Sequence, residues 1–359
     1  MPIHPLFGHA DLRRDLATAL RADRLPQVVL LVGEPGVGKQ RLALWLAQLA
    51  LCREGGAEPC GKCPSCLKVL NLAHPDVHWL VPILRPKAGD PDKQVEEVRE
   101  TLAELMAARR AAPVYGRPDG MAMHGVASAR LLLRLATMTT VEGGRRFLVI
   151  GDAERLVPQE ASPEAANALL KLLEEPPAST TLVLTATDPT RVLPTIRSRA
   201  VPVRVGRLSD EELAEALASL LPAEKAPARA RRVEAAEGAL GRALEEGGGS
   251  DETIDRAVEE LLEAARAGGA ARFERSLRQG PWSARGEFTV MLDRLAETLG
   301  RAARRTVEGR DDGIGVDDPR RLVAALSHVD RAREAAQGNV NPQLLLDVLT
   351  QELGETLWA

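Results

Sequence analysis

The sequence has few aromatic residues, no long apolar run, and cysteines in only one short segment. Its 359 residues include four Phe, four Trp and one Tyr, too few to suggest a platform on which nucleic-acid bases stack. No stretch of about 18 apolar residues occurs, so we expect no membrane span and no membrane contact. The first residues, MPIHPLFGHADLRR, lack the basic start and apolar run of a signal peptide. We therefore expect a cytoplasmic protein.

The charged residues show no strong excess of either sign. A net charge of −4 argues against a general attraction to nucleic acid, although a local basic patch would not show in that sum. The apolar fraction of 45% and the charged fraction of 27% are ordinary for a globular protein. At 359 residues the chain is long enough for two or three domains with buried cores.

The first half of the chain alternates between patterns typical of strands and of helices. An apolar run, QVVLLVG, precedes a glycine-rich loop and a helical run, and later strands are predicted within VHWLV, RRFLVIGDAERL, TTLVLTATDP and IRSRAVPVRV. This alternation predicts an α/β fold with a parallel sheet. Residues 85–123 contain an amphipathic helix, Gln94 to Ala111, between Pro- and Gly-rich flanks. We interpret that segment as an excursion from the core.

The second half of the chain is richer in Ala, Arg and Glu and indicates helices alone. The clearest boundary is Gly247–Ser250. Beyond it, helices are predicted at residues 251–268, 271–278, 284–308, 317–337 and 341–357. The predicted divisions are a core over residues 1–206, a small helical segment over 207–248 and an all-α domain over 249–359.

The stretch GEPGVGKQ, residues 33–40, has the spacing of a phosphate-binding loop. Its glycines and lysine match G-x-x-x-x-G-K, in which backbone N–H groups and the start of the next helix attract phosphate oxygens. An ordinary glycine-rich turn is the alternative, but the flanking strand and helix favour the phosphate loop. The candidate nucleotide-binding residues are Gly33, Glu34, Pro35, Gly36, Val37, Gly38, Lys39 and Gln40.

Two departures from the usual motif affect the same function, the binding of Mg²⁺. Gln40 stands where a Ser or Thr hydroxyl would bind the metal, and Gly151 stands where the second strand would end in an acidic residue. Asp152, one residue later, could still reach a metal at the nucleotide site; alternatively it is a helix N-cap. Because phosphoryl transfer depends on positioning and charge neutralisation, we expect ATP or ADP binding without hydrolysis, or an empty site.

The four cysteines form a pattern typical of a metal site. Cys52, Cys60, Cys63 and Cys66 give C-x7-C-x2-C-x2-C, which suits tetrahedral coordination by thiolates. We predict a structural Zn²⁺ in an inserted module over residues 52–66, because four cysteines would leave no coordination position open. An iron–sulfur cluster is less favoured. A redox dithiol or buried free cysteines are the remaining alternatives.

Six motifs occur together in an order that resembles one family of replication proteins. They are GEPGVGK, the cysteine module, HPDVHWL, NALLKLLEEPP, TATDPTRVLPTIRSR and NVNPQLLLDVL. Together they resemble the delta-prime subunits of the bacterial DNA polymerase III clamp loader, which have the AAA+ fold. The resemblance implies a AAA+ P-loop core, a small helical lid and a helical collar for assembly. It also implies the gamma/tau and delta subunits as partners in a hetero-pentamer, together with the sliding clamp and primer–template DNA.

The resemblance also gives a role to Arg199. From the residues alone, an Arg at the edge of a core is usually a surface charge. The family's Ser-Arg-Cys motif corresponds to Ser198, Arg199 and Ala200, which makes Arg199 the expected arginine finger for the ATP site of a neighbouring motor subunit. Delta-prime subunits are usually stators without ATPase activity, and the degenerate metal positions agree. The alternatives are an active gamma/tau-like motor and a zinc-bearing nucleotide-binding protein outside replication.

Overall fold

The computed structural model describes residues 3–112, 122–142, 144–156, 164–244, 249–278, 285–337 and 340–358. The chain divides into two units, one that extends to residue 246 and one that begins at residue 247. Within the described ranges, no helix combines the length and the apolar character needed to cross a membrane.

A parallel sheet of five strands forms the centre of the first unit. Its strands are β1 (Val28–Val32), β2 (Val77–Leu80), β3 (Arg146–Ile150), β4 (Thr180–Ala186) and β5 (Val201–Arg204). They lie in the order β2-β3-β4-β1-β5, and each neighbouring pair is parallel. β3 and β4 are buried along their whole length, as central strands of a parallel sheet usually are. The predicted α/β fold is confirmed.

The helices of the first unit connect these strands and continue after them. They are α1 (Ala10–Arg21), α2 (Lys39–Leu51), α3 (Pro64–Leu70), α4 (Pro91–Ala111), α5 (Val126–Thr137), α6 (Glu164–Glu174), α7 (Pro194–Arg197), α8 (Asp210–Leu220), α9 (Ala226–Ala236) and α10 (Leu240–Leu244). The loop between β1 and α2 lies at the carboxyl edge of the sheet, with β4 and β5 on either side of β1. This edge is where open α/β sheets bind their ligands.

The interpretation of residues 85–123 as an excursion from the core is wrong for the part of that segment that the structure describes. α4 places Val95, Val98 and Leu102 in the same apolar core as the strands of the sheet. All three side chains are buried. The Pro- and Gly-rich flanks indicate turns before and after the helix, and turns alone do not show that a helix leaves the core.

The helices α8, α9 and α10 share a small apolar core of their own. α8 begins with a capping box, in which the Ser209 hydroxyl accepts from the Glu212 N–H and the Glu212 carboxylate accepts from the Ser209 N–H. The buried members of the core are Leu208, Leu213, Leu217, Ala236 and Ala243. Whether residues 207–248 form a domain of their own remains a prediction.

The described part of the second unit consists of helices. They are α11 (Gly249–Ala267), α12 (Gly269–Leu277), α13 (Arg285–Val307), α14 (Pro319–Gln337) and α15 (Pro342–Trp358). Leucines from three of these helices are fully buried in one core: Leu292, Leu295, Leu322 and Leu346. The predicted all-α C-terminal region is therefore confirmed. α11 begins at Gly249, two residues earlier than predicted, and the first two residues of the predicted Gly247–Ser250 boundary lie outside the described ranges.

Candidate functional site

The phosphate-loop sequence lies between β1 and α2, the position that the motif requires. Gly36 and Gly38 have φ angles of 79° and 96°, which glycine adopts far more readily than other residues. A Cβ added at Gly33 would lie 2.3 Å from the carbonyl oxygen of Val205. These glycines therefore allow a backbone path that brings the N–H groups at the start of α2 toward the loop.

Lys39 lies inside the loop and is only 7% exposed. Its Nζ donates to the carbonyl oxygens of Gly33 and Glu34, both at 2.8 Å, and lies 3.5 Å from Oγ1 of Thr187. The carbonyl oxygens of the loop thus hold the ammonium group of Lys39 within the loop.

His9, the residue that precedes α1, also contacts the loop. Val37 is buried, and its carbonyl oxygen lies 2.7 Å from Nε2 of His9, the residue before α1. A Cβ added at Gly38 would lie 3.6 Å from the same nitrogen. Pro35 is half-buried at the turn of the loop. These contacts restrict the loop from the N-terminal side.

Residues that follow β5 in the chain also hold the loop. Arg207 makes a bidentate ion pair with the carboxylate of Glu34, at 3.0 to 3.3 Å. The N–H of Gly241, in α10, donates to the carbonyl oxygen of Gly36 at 2.9 Å. A Cβ added at Gly241 would lie 2.7 Å from the Cα of Gly36. The loop and α10 are therefore in direct backbone contact, which no motif in the sequence indicated.

The side-chain amide of Gln40 lies over Gly151. A Cβ added at Gly151 would lie 2.8 Å from Nε2 of Gln40. Oε1 of Gln40 accepts from Nη1 of Arg109 at 3.2 Å, and Nε2 donates to Oδ1 of Asp152 at 3.3 Å. The guanidinium of Arg109 in turn lies over the ring of Trp79, 4.3 Å from its centroid. The two departures from the motif thus form one packing arrangement.

This arrangement does not fit a magnesium ion. Mg²⁺ requires near-octahedral oxygen ligands at about 2.0–2.1 Å. Oε1 of Gln40 accepts from a guanidinium, which repels a metal cation, and the carboxylate of Asp152 accepts from the amide N–H of Gln40. Sequence reasoning found both departures but not Arg109, which lies 69 residues from Gln40 in the chain.

Glu154, which follows β3, is a half-buried residue that sequence reasoning also missed. Its Oε1 accepts from the N–H of Thr187 at 2.9 Å, whereas Oε2 is buried with no hydrogen-bond partner among the described residues. Burial, reinforced by the negative charge of Asp152, raises the pKa of Glu154. Since Lys39 also contacts Thr187, both charged groups adjoin the same threonine.

We expect Glu154→Gln to stabilise the protein near neutral pH. The folded-state pKa of Glu154 is raised, so the folded protein favours the protonated carboxyl more than the unfolded chain does. The resulting contribution to the free energy of unfolding is fully present below the unfolded-state pKa and is lost as pH rises through the folded-state pKa. Gln keeps an oxygen acceptor and never ionises. The melting temperature of the variant should exceed that of the wild type at neutral pH. The melting temperatures of the variant and the wild type should converge below about pH 4, where a glutamate is normally protonated. A difference between them that grows in acid would contradict the raised pKa of Glu154.

The four cysteines converge near the end of α2 and the start of α3. Their Sγ atoms all lie within 4.8 Å of one another, and those of Cys60 and Cys66 are 3.9 Å apart. Tetrahedral coordination with Zn–S bonds of about 2.3 Å places sulfur atoms about 3.8 Å apart. Cys63 and Cys66 are buried, whereas Cys52 and Cys60 are half-buried. The cluster can therefore hold a metal ion.

Backbone N–H groups favour the thiolate form of part of this cluster. The N–H of Cys60 donates to Sγ of Cys52 at 3.4 Å, and the N–H of Cys66 donates to Sγ of Cys63 at 3.5 Å. Burial opposes ionisation of Cys63, but hydrogen bonds from the N–H groups of Arg53 and Cys66, together with those from the side chains of Cys66 and Cys60, outweigh it and lower the pKa of Cys63 to about 6. Burial raises the pKa of Cys66. A metal ion would displace the proton of that thiol, because metals bind thiolates.

We expect the purified chain to carry one zinc ion and Cys66→Ser to lose it. Loss of one of four thiolates weakens coordination and removes the folding free energy that the metal supplies, so the melting temperature should also fall. Metal content is measured by mass spectrometry of the desalted protein. Leu67→Ser, at the exposed neighbouring position, is the control and should keep the metal. Retention of a full equivalent of zinc by Cys66→Ser would contradict four-cysteine coordination.

Arg199 lies at the surface, two residues after α7. Its Nε donates to Oε1 of Glu174 at 3.0 Å, and its Nη1 donates to the carbonyl oxygen of Thr195 at 2.8 Å. Ala200, where the family pattern has Cys, is 6% exposed, so the departure lies inside the core and not on the surface that carries Arg199. The position leaves the guanidinium accessible to a second chain.

Comparison with known proteins finds similarity to subunits of DNA polymerase III. A family model described as DNA polymerase III, delta subunit, matches residues 8–209. DNA polymerase III subunit delta' of Pseudomonas aeruginosa is 32% identical over 200 residues, which cover 55% of this chain and 49% of that protein. The delta' subunit of Bacillus subtilis is 30% identical over 184 residues, which cover 51% and 43%. The match thus spans about half the length of these curated relatives. The resemblance inferred from the motifs is confirmed.

Similarity extends to a gamma/tau subunit and to a solved structure. DNA polymerase III subunit gamma/tau of Mycobacterium tuberculosis is 30% identical over 196 residues, which cover 54% of this chain and 27% of that protein. A DNA polymerase III gamma subunit-related protein of Thermotoga maritima is 17% identical, with 94% of this chain and 99% of that chain covered and a TM-score of 0.34. At that TM-score the likeness adds nothing to what the sheet topology establishes.

Proposed function

The chain belongs to the DNA polymerase III delta-subunit family, and on that premise we propose that it is a cytoplasmic clamp-loader subunit of the delta-prime type. In this proposal it binds ATP or ADP without hydrolysing it and helps neighbouring ATPase subunits to load the sliding clamp onto primer–template DNA. The family match and the delta' relatives support the clamp-loader part. The observation that carries the non-hydrolysing part is the amide of Gln40 packed over Gly151.

The lack of hydrolysis follows from how phosphoryl transfer is catalysed. A metal ion normally bridges the outer phosphates and neutralises the charge that develops as the bond breaks. The two side-chain positions that would hold that metal are Gln40 and Gly151, and the first fills the space beside the second. The carboxylate of Asp152, which could otherwise orient a water molecule, accepts from Gln40. Lys39 and the loop backbone can still bind phosphate, so binding without turnover is the expected state.

In this proposal Arg199 acts on a neighbouring subunit and not on its own loop. The ion pair between Arg199 and Glu174 has side chains that are 33% and 47% exposed, so it contributes about 1 kcal/mol or less. Exchanging that partner for the phosphate of a bound ATP costs little. An arginine finger supplied by a neighbouring chain can accelerate hydrolysis by roughly 10³ to 10⁵.

The second unit offers a surface for assembly. Four large apolar side chains on α12 and α15 are more than half exposed: Phe273, Leu277, Leu344 and Val348. The two helices pack together, with Nε of Arg272 3.1 Å from Oδ1 of Asp347. Exposed apolar side chains on neighbouring helices are typical of contact surfaces. We assign this face to the collar that joins the chain to gamma/tau and delta subunits. DNA contact, shared across the ring, would go through the phosphate backbone.

The proposal predicts that Arg199→Ala lowers the ATPase activity of the assembled complex although this chain has none of its own. Steady-state ATP hydrolysis is measured for the zinc-loaded chain alone and after mixing with its clamp-loader partners. The chain alone should be silent, and the variant complex should lose the activity of the one site that Arg199 completes. Arg197→Ala is the matched control, since Arg197 is an exposed arginine two residues away that donates to the carbonyl oxygen of Pro189.

Other results would favour the alternative functions. Mg²⁺-dependent turnover by the isolated chain that disappears in Lys39→Ala would identify an active gamma/tau-like motor. Failure to assemble with any clamp-loader subunit would favour a zinc-bearing nucleotide-binding protein outside replication. Equal loss of activity in the Arg199 and Arg197 variants would contradict the arginine finger.

A further inference from the structure

The magnesium position of the phosphate loop has a cationic side chain next to it. In the usual site, the hydroxyl after the loop lysine and the acidic residue at the end of the second strand hold a metal that bridges the outer phosphates. Here those positions are occupied by Gln40 and Gly151. The amide of Gln40 lies in the space that a side chain at residue 151 would take. At the far end of that amide, Nη1 of Arg109 lies 3.2 Å from Oε1.

Among the contacts of the Arg109 guanidinium, one lies on its face and one at its edge. The Cζ atom of Arg109 lies 4.3 Å from the centroid of the ring of Trp79, whose side chain is buried on β2. One edge donates to Gln40, the residue directly after the loop lysine. A guanidinium carries five N–H donors in a rigid plane and binds phosphate through parallel hydrogen bonds. Arg109 therefore has a side chain suited to binding phosphate. It is hydrogen-bonded to Gln40, which stands where the usual motif has a metal-binding Ser or Thr.

We propose that the guanidinium of Arg109 takes the place of Mg²⁺, so that the loop binds a nucleoside di- or triphosphate without a divalent cation. The inference rests on the proposed nucleotide binding and adds the identity of the counter-cation. It also gives a role to α4, since that helix brings Arg109 to the loop. Lys39 supplies one positive charge from within the loop, and Arg109 supplies a second from the metal side.

A purely structural role for Arg109 leads to a different expectation. α4 is already anchored in the core by Val95, Val98 and Leu102. If Arg109 only packs against Trp79, its replacement changes the melting temperature but not the affinity for nucleotide or the response to metal. Arg110, the next residue of the same helix, provides the comparison, because it donates to the carbonyl oxygen of Asn71 at 3.3 Å.

The test is binding of ADP and ATP to the full-length chain by titration calorimetry, once in EDTA and once in MgCl₂. The wild type should bind ADP with the same Kd under both conditions, to within about twofold. In EDTA, Arg109→Ala should weaken ADP binding by about tenfold or more, the usual effect of losing a hydrogen bond to a charged group. Arg109→Lys, which keeps the charge but loses the plane, should weaken it less. Arg110→Ala should bind like the wild type.

The possible failures can be told apart. Absence of ADP and ATP binding by the wild type under both conditions contradicts the proposed nucleotide binding, and the inference about Arg109 fails with it. Nucleotide binding that is tenfold or more weaker in EDTA than in MgCl₂ contradicts only the metal-free site. Equal affinities for Arg109→Ala and Arg110→Ala contradict the role of Arg109 as counter-cation, whatever their melting temperatures.

Discussion

The amide of Gln40 lies against Gly151, in space that a side chain at residue 151 would take. An acidic residue there would place its Cβ 2.8 Å from the amide nitrogen, well inside normal contact distance. The amide joins three parts of the first unit, since it accepts from Arg109 on α4, donates to Asp152 after β3 and follows Lys39 at the start of α2. Gln40 and Gly151 therefore pack together and neither supplies the usual metal ligand. The same amide accepts a hydrogen bond from the cationic side chain of Arg109.

The same loop is restrained by contacts that do not depend on nucleotide. Lys39 is satisfied by carbonyl oxygens of the loop itself, Glu34 pairs with Arg207, and the carbonyl oxygen of Gly36 accepts from Gly241. These contacts come from residues on both sides of the loop in the chain, since Arg207 and Gly241 follow β5 and His9 precedes α1.

Much of the fold could be predicted from local patterns, but the site could be predicted only in part. The continuous apolar strands and the glycine loop between β1 and α2 are local features, as is the short spacing of Cys60, Cys63 and Cys66. The contact between Arg109 and Gln40 depends on how α4 packs, and nothing in the sequence of an amphipathic helix marks one of its arginines as part of a site. The burial of α4 was mispredicted for a similar reason. Its polar flanks resemble those of a surface insertion, whereas Val98 lies in the sheet core.

We expect a guanidinium, and not a metal, beside the phosphates of a bound nucleotide. A crystal structure of the chain soaked with ADP and MnCl₂, with anomalous data that locate manganese, would decide between the two. We expect ADP in the loop, the guanidinium of Arg109 within hydrogen-bond distance of a phosphate oxygen, and no manganese peak between Gln40 and Asp152. A manganese ion at coordination distance from either of those side chains, bound to the phosphates of ADP, would show that the site uses a metal instead.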